Sequence, residues 1–181
     1  MNLEELIVSS IRDSAAQVFS TMLGVEIDRG EVSVETGTPE QANDGIVSFI
    51  GVAGAWAGTG SLSCSPALAC RICSHMLMMD ASSVDEEVLD TVAELTNMII
   101  GNVKTELEQY LGPLGLSIPT VIFGRNFRTK SVGNNKWTVV CFQWKDEHLL
   151  VKLCLSPTDR VAHGAGHVVG QSCALDVRTE S

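Results

Sequence analysis

The longest helical pattern in the chain constrains the fold more than any other feature. It begins near Ser82 or Ser83, where residues 83–86 fit a capping box, and it ends after Leu111 at Gly112-Pro113. A helix of this length spans roughly 40 Å. One of its faces is apolar and must be covered by another layer of the domain. The residues of that face are Val88, Val92, Leu95, Ile99 and Val103.

β-type segments lie on both sides of this helix in the sequence, and short turns join several of them. They span Val25–Val34, Ile46–Val52, Gly58–Cys64, 117–124, 126–132, 136–145 and 147–155. Two further helical patterns cover residues 3–23 and the segment from Ser65-Pro66 to about Met78. Strands joined by hairpins pair in antiparallel fashion. The sequence therefore predicts an α+β fold, with an antiparallel sheet and helices packed on one face.

Length and charge restrict the domain organisation and the partners. A chain of 181 residues favours one domain, which we expect at 1–155, followed by a C-terminal extension, 156–181, that is mostly irregular. The net charge of −10 argues against nucleic acid and anionic membranes as partners. The N-terminus carries acidic residues where a signal peptide is basic, and no apolar run is long enough to cross a bilayer. We therefore expect a cytoplasmic protein.

The cysteines raise the question of a metal site. Cys70 and Cys73 are separated by two residues, and His163 and His167 could in principle complete a zinc ligand set. The gap of about ninety residues between the pairs fits no zinc-finger spacing, and the two cysteines lie inside a predicted helix. We predict that the cysteines are reduced and pack in the core, and that the chain binds no metal.

Polar residues on the long helix form the strongest functional pattern. Asp90, Glu94 and Asn97 share one narrow stripe opposite the apolar face, and Gly101 follows in the same register. The stripe combines two carboxylates, a neutral amide and a residue without a side chain. Taken alone, such a stripe is also typical of a solvated helix face, so the surrounding residues must decide between the two interpretations.

Four segments carry a family pattern, and the third of them contains the stripe. They are Gly51-Val52-Ala53-Gly54-Ala55-Trp56-Ala57-Gly58, Ser65-Pro66-Ala67-Leu68-Ala69, Asp90-x-x-x-Glu94-x-x-Asn97-Met98-Ile99-Ile100-Gly101-Asn102-Val103-Lys104, and Pro119-Thr120-Val121-Ile122-Phe123-Gly124. Together they resemble the CheX branch of the CheC, CheX and FliY phosphatases. Asp90, Glu94, Asn97 and Pro119 occupy the positions of the family motif. The first helix has no equivalent pair, and a single site resembles CheX rather than CheC, whose members carry two.

The resemblance implies a phosphatase that hydrolyses the aspartyl phosphate of a CheY-like response-regulator receiver. In that family Asn97 would orient the attacking water and Glu94 would dock the receiver, for example through a lysine. Asp90, Gly101 and Lys104 would then contact the partner, although Asp90 also fits a solvating role and Lys104 could instead pair with Glu108. Magnesium would be held by the receiver, so no cofactor is expected on this chain.

The resemblance also implies a homodimer, because CheX relatives dimerise through their sheets. The apolar segment Trp137–Phe142 would be an aggregation risk if it were left exposed at a sheet edge. One alternative function is a non-catalytic module that binds receivers or flagellar-switch proteins with the same helix. Another is a dimerisation domain with a vestigial site. The presence of both Glu94 and Asn97 favours the enzyme, because a binding module has no evident need for the amide.

Overall fold

The computed structural model describes residues 2–36, 42–131, 135–158 and 175–179. Within these ranges the strands are β1 Glu31–Thr36, β2 Ala42–Gly54, β3 Trp56–Cys64, β4 Leu114–Leu116, β5 Thr120–Ser131, β6 Lys136–Trp144, β7 Glu147–Pro157 and β8 Leu175–Thr179. They form one sheet in the order β1-β6-β7-β3-β2-β5-β8, with β4 also paired to β2. Every pairing is antiparallel.

The first two helices begin with side-chain caps that the sequence supplies locally. Helix α1, Leu3–Val18, starts with a reciprocal capping box between Asn2 and Glu5 and continues as a π-helical turn, Phe19–Leu23. Helix α2, Pro66–Leu77, starts with the Ser65 side chain accepting a hydrogen bond from a backbone N–H and with proline in its first turn. The predicted extents of both helices are confirmed to within a residue or two.

The long helix, α3, spans Glu86–Leu111 and has 26 residues. Its N-cap is Asp85, whose Oδ1 accepts a hydrogen bond from the Val88 backbone N–H at 3.0 Å. The predicted capping box starting at Ser83 is therefore wrong. The N-cap lies two residues later, at Asp85, because the Asp85 carboxylate accepts a backbone hydrogen bond there and is also favoured by the helix dipole.

The three helices pack on one face of the sheet and share a single core with it. Helix α3 contacts both α1 and α2. The Ser14 hydroxyl of α1 donates to the Ile99 carbonyl of α3 at 2.8 Å, and Thr91 of α3 contacts the Cys73 sulfur of α2 at 3.5 Å. A Cβ added to Gly60 of β3 would lie 3.0 Å from Ile100, so the small residue lets α3 approach the sheet closely. The predicted α+β architecture is confirmed.

Several strand predictions need correction. Residues 25–30 are irregular and only Glu31–Thr36 forms a strand, although a strand was expected from Val25. Two segments, 117–124 and 126–132, were expected, but residues 117–119 are irregular and Thr120–Ser131 forms one strand, β5. The strand has an irregularity at Asn126, which takes a positive φ of 52° and whose N–H donates to Asp44 at 2.6 Å. Pairing between β2 and β5 continues on both sides of this irregularity.

The C-terminal extension is not irregular throughout. Strand β7 runs to Pro157, and residues Leu175–Thr179 form β8, which pairs with β5. Most of 156–181 lies outside the described residues, so the expectation that the extension is mostly irregular stays a prediction. His163 and His167 lie outside the described residues, so the structure gives no information on them.

The apolar segment of β6 does not form a sheet edge. β6 is paired with β1 on one side and β7 on the other, and its residues Trp137, Val139 and Phe142 are buried. The aggregation risk considered for an exposed edge at Trp137–Phe142 therefore does not arise, because β1 pairs with this segment. In the described part of the sheet, β1 and β8 are the outer strands.

The prediction that Cys70 and Cys73 pack in the core is confirmed. Both side chains are buried on α2, and none of the cysteines that the structure describes forms a disulfide. Burial, reinforced by the Glu147 carboxylate, raises the pKa of the Cys64 thiol to about 12.

Across the described ranges, no helix combines the length and the apolar character needed to cross a membrane.

Candidate functional site

The structure places the predicted stripe on the outer surface of α3. Asp90, Glu94 and Asn97 are exposed, and Gly101 is half-buried one turn further along the helix. The opposite face of the same helix is sealed in the core, where Val92, Leu95 and Ile99 have no exposed surface. Polar groups that rise from a helix fixed in this way are held in position before any partner arrives.

The chemistry of the stripe changes along the helix. Asp90 and Glu94 present carboxylates, whereas Asn97 presents a neutral amide that can donate and accept hydrogen bonds. A cationic group of a partner would be attracted near Glu94, and an anionic group would meet no charge repulsion from Asn97 itself. The pattern is suited to a partner that carries a cation and an anion close together.

Gly101 leaves an open space on the stripe that nothing inside the chain requires. A Cβ built there would meet only the Leu116 Cδ1, at 4.0 Å, which is an ordinary van der Waals distance. Glycine in a helix interior costs about 1 kcal/mol relative to alanine. Since packing does not demand this glycine, its absence of a side chain is better explained by contact with something outside the chain.

Lys104 is engaged within the helix. Its Nζ lies 2.8 Å from Glu108 Oε2, and Glu108 Oε1 accepts a hydrogen bond from the Leu114 N–H at 2.8 Å. The Lys104 ammonium, followed by the Leu114 N–H, lowers the pKa of the Glu108 carboxyl. Of the two roles considered for Lys104, the geometry favours the pair with Glu108 over a partner contact, because this pair joins the end of α3 to β4.

Pro119 lies between β4 and β5 and directly precedes the first residue of β5, Thr120. This placement agrees with a strand-entry role. Sequence reasoning missed the residue that holds this connection, Ser117, whose hydroxyl accepts a hydrogen bond from the Gly51 N–H at 2.8 Å. A single serine between two apolar residues gives no signal for such a long-range bond.

Among the residues that the structure describes, no group of three or more histidine, cysteine or acidic side chains is placed to hold a metal ion. Asp90 and Glu94 alone supply two carboxylates on an exposed surface. The site as described therefore offers docking and hydrogen bonding through its own side chains.

Comparison with known proteins places this arrangement in a family. The family model for chemotaxis phosphatase CheX matches residues 46–143. The chain is 30% identical over 128 residues to the CheY-P phosphatase CheX of Thermotoga maritima, a match that covers 70% of this chain and 81% of that protein. The matched segment includes α2, α3 and the strands on both sides of them.

Solved structures show the same fold. A CheC-like superfamily protein from Shewanella sp. PV-4 superposes with a TM-score of 0.73 at 25% identity, covering 86% of this chain and 99% of that chain. CheX in a complex with CheY, BeF3 and Mg from Borrelia burgdorferi has a TM-score of 0.66 at 22% identity, covering 82% of this chain and 97% of that chain. The family match, its extent and the shared fold agree, and the chain belongs to the CheX family of chemotaxis phosphatases.

Proposed function

We propose that this protein hydrolyses the aspartyl phosphate of a CheY-like receiver domain. The observation that carries the proposal is the exposed Glu94 and Asn97 pair on one face of a helix whose other face is fully buried. The relative from Thermotoga maritima, which is named as a CheY-P phosphatase, supports the same reaction.

The proposed reaction needs positioning more than covalent assistance. An aspartyl phosphate is a labile mixed anhydride, and phosphoryl transfer depends mainly on alignment and electrostatics. The water oxygen forms a bond to phosphorus as the bond to the aspartyl oxygen breaks, which leaves a carboxylate and inorganic phosphate. Asn97 orients this water through its amide, and its neutrality avoids repulsion of the phosphoryl oxygens.

Glu94 has a separate task in the proposal. Its carboxylate lies one helical turn before Asn97 and forms a charge-assisted hydrogen bond with a cationic side chain of the receiver. Asp90 extends the acidic surface, and the open space at Gly101 admits the receiver backbone. Magnesium bound in the receiver would neutralise phosphoryl charge, and we expect no cofactor on this chain.

The test is the decay of a purified CheY receiver phosphorylated with a small-molecule phosphodonor in the presence of Mg²⁺. The protein should accelerate decay at substoichiometric amounts, which shows turnover. If the protein binds the phosphorylated receiver without accelerating decay, the function is that of the non-catalytic binding module instead. Decay that is unchanged across a panel of CheY receivers would exclude the proposed reaction.

A further inference from the structure

The connection between β4 and β5 is a β-bulge beside the candidate site. In the pairing with β2, Leu116 lies opposite Val52 and Thr120 lies opposite Phe49. The path from Val52 to Phe49 takes three residue steps, whereas the path from Leu116 to Thr120 takes four. One extra residue is therefore inserted on the β4–β5 side, and such bulges re-aim side chains and are common next to active sites.

Three hydrogen bonds and a proline fix this bulge. The Ser117 N–H donates to the Gly51 carbonyl at 2.9 Å, and the Ser117 hydroxyl accepts from the Gly51 N–H at 2.8 Å. The same hydroxyl donates to the Ile118 carbonyl at 3.0 Å. Pro119 restricts the backbone of Ile118 to extended conformations. These contacts restrict the backbone of the bulge at Ile118.

The residue that the bulge presents is apolar and almost fully exposed. The Ile118 side chain is 88% exposed, while Leu116 before the bulge and Val121 after it pack against the core beneath the helices. Phe123, opposite Ile46 and so on the helix side of β5, is 49% exposed. We call these two exposed apolar residues, Ile118 and Phe123, the apolar ledge.

The apolar ledge adjoins the stripe on α3. Helix α3 contacts both β4 and β5. Leu116, two residues before Ile118, is the side chain that lies 4.0 Å from the position of a Cβ on Gly101. The open space on the helix therefore lies next to Leu116, and the exposed isoleucine follows two residues later in the connection to β5, a strand that α3 also contacts.

We propose that the apolar ledge is a second docking surface for the phosphorylated receiver, and that Ile118 determines how tightly the receiver binds. This inference rests on the proposed function. The partner must offer an apolar surface patch next to the cation that Glu94 binds. A β-branched side chain already held by a bulge loses little freedom on binding, so its burial contributes most of its hydrophobic energy to affinity.

Ile118→Ser tests the proposal. Both the affinity for a BeF3-activated CheY receiver, by calorimetry, and the decay of the phosphorylated receiver are measured, using the receiver that the wild-type protein binds most tightly. We expect KM and Kd to rise about tenfold with kcat unchanged, the size expected for loss of one aliphatic contact. Ile118→Val should restore wild-type values. Met78→Ser is the matched control, since Met78 is 93% exposed but lies at the end of α2.

The outcomes separate the ledge from the catalytic proposal. Weaker binding by Ile118→Ser supports the ledge even if the wild-type protein proves to accelerate no decay, which would refute only the proposed reaction. Unchanged KM and Kd in Ile118→Ser overturn the ledge while leaving catalysis intact. An altered mass by light scattering with unchanged receiver affinity also overturns it, because the surface would then join copies of this chain. A wild-type protein that binds no receiver overturns both.

Discussion

Asn97 and Asn102 are both exposed asparagines on α3, but only Asn97 belongs to the stripe. The two positions are five residues apart, so their side chains leave the helix in directions about 140° apart. A reaction that takes place at the stripe should therefore depend on the Asn97 amide and not on the Asn102 amide. This pair gives an internal control for the role of the amide.

Asn97→Ala should lower the rate constant for receiver dephosphorylation by about 100-fold or more, the range found when a positioned hydrogen-bonding group is lost. Receiver affinity should change little, because a group that orients water acts mainly in the transition state. Decay of the phosphorylated receiver at saturating protein measures the rate constant. Asn102→Ala should retain the wild-type rate, and a fully active Asn97→Ala variant would refute the assignment of Asn97.

Glu94→Ala should weaken docking as well as turnover, since it removes a charge-assisted contact with the receiver. We expect Kd to rise about tenfold at low salt and by less at high salt, because added salt screens the interaction in the wild-type protein. Calorimetric titration at two ionic strengths provides the measurement. Glu26→Gln, an exposed carboxylate outside the helices, is the control for the change in net charge. Unchanged affinity in Glu94→Ala would restrict Glu94 to the chemical step.

One face of helix α3 is packed in the core and the other face is exposed. A substitution at Gly101 can therefore separate an effect on stability from an effect on receiver binding. Gly101→Ala should raise the free energy of unfolding by up to about 1 kcal/mol, because alanine is the better helix former and its Cβ meets only Leu116 at 4.0 Å. The same methyl group should weaken receiver binding. Urea denaturation and calorimetry give the two quantities. Weaker binding together with lower stability would point to a folding defect instead.

The junction of α3 and β4 depends on the charge of Glu108. Lys104 lowers the Glu108 pKa, so the stabilisation is fully present above the unfolded value of 4.5 and is lost as pH falls through the lower folded value. Glu108→Gln should therefore lower Tm at neutral pH, and the difference from wild type should shrink below pH 4.5. Thermal melts from neutral to acidic pH test this. A difference that does not depend on pH would show that the charge of Glu108 is not its cause.

At the scale of the whole molecule, the described residues form an eight-stranded sheet whose outer strands are β1 and β8. Val32 and Val34 of the outer strand β1 are 41% and 39% exposed, which is unusual for valine in a sheet. Exposed apolar side chains on an edge strand favour association with another chain. The structure thus supports a dimer contact at an outer strand such as β1, and not at β6.

We predict that the protein is a homodimer at micromolar concentration, about twice the chain mass of 19.4 kDa. Light scattering coupled to size exclusion measures the mass directly. Dilution should shift the population towards the monomer if the contact is reversible. A mass near 19.4 kDa at all concentrations would refute the dimer.

Local patterns explain the part of this protein that could be predicted from sequence. The stripe of Asp90, Glu94 and Asn97 follows from the helical period alone, since residues three or four apart share a face wherever the helix lies. The same holds for the capped start of α2 at Ser65. The antiparallel pairing of β2 with β3 and of β6 with β7 also follows from short connections, because so short a turn permits no parallel pairing.

Tertiary structure decided the features that depend on distant residues. Three such features join segments that are far apart in the chain. They are the pairing of Leu175–Thr179 with β5, the pairing of β6 with β1, and the hydrogen bonds between Ser117 and Gly51. Five-residue alternating patterns do not identify their partners, since strand pairing is set by which edge is free in the folded sheet. The sequence by itself determined which residues stand on the exposed polar face of α3. The bulge that places Ile118 beside this face arose only from the register of two strands against β2, which no local pattern encodes.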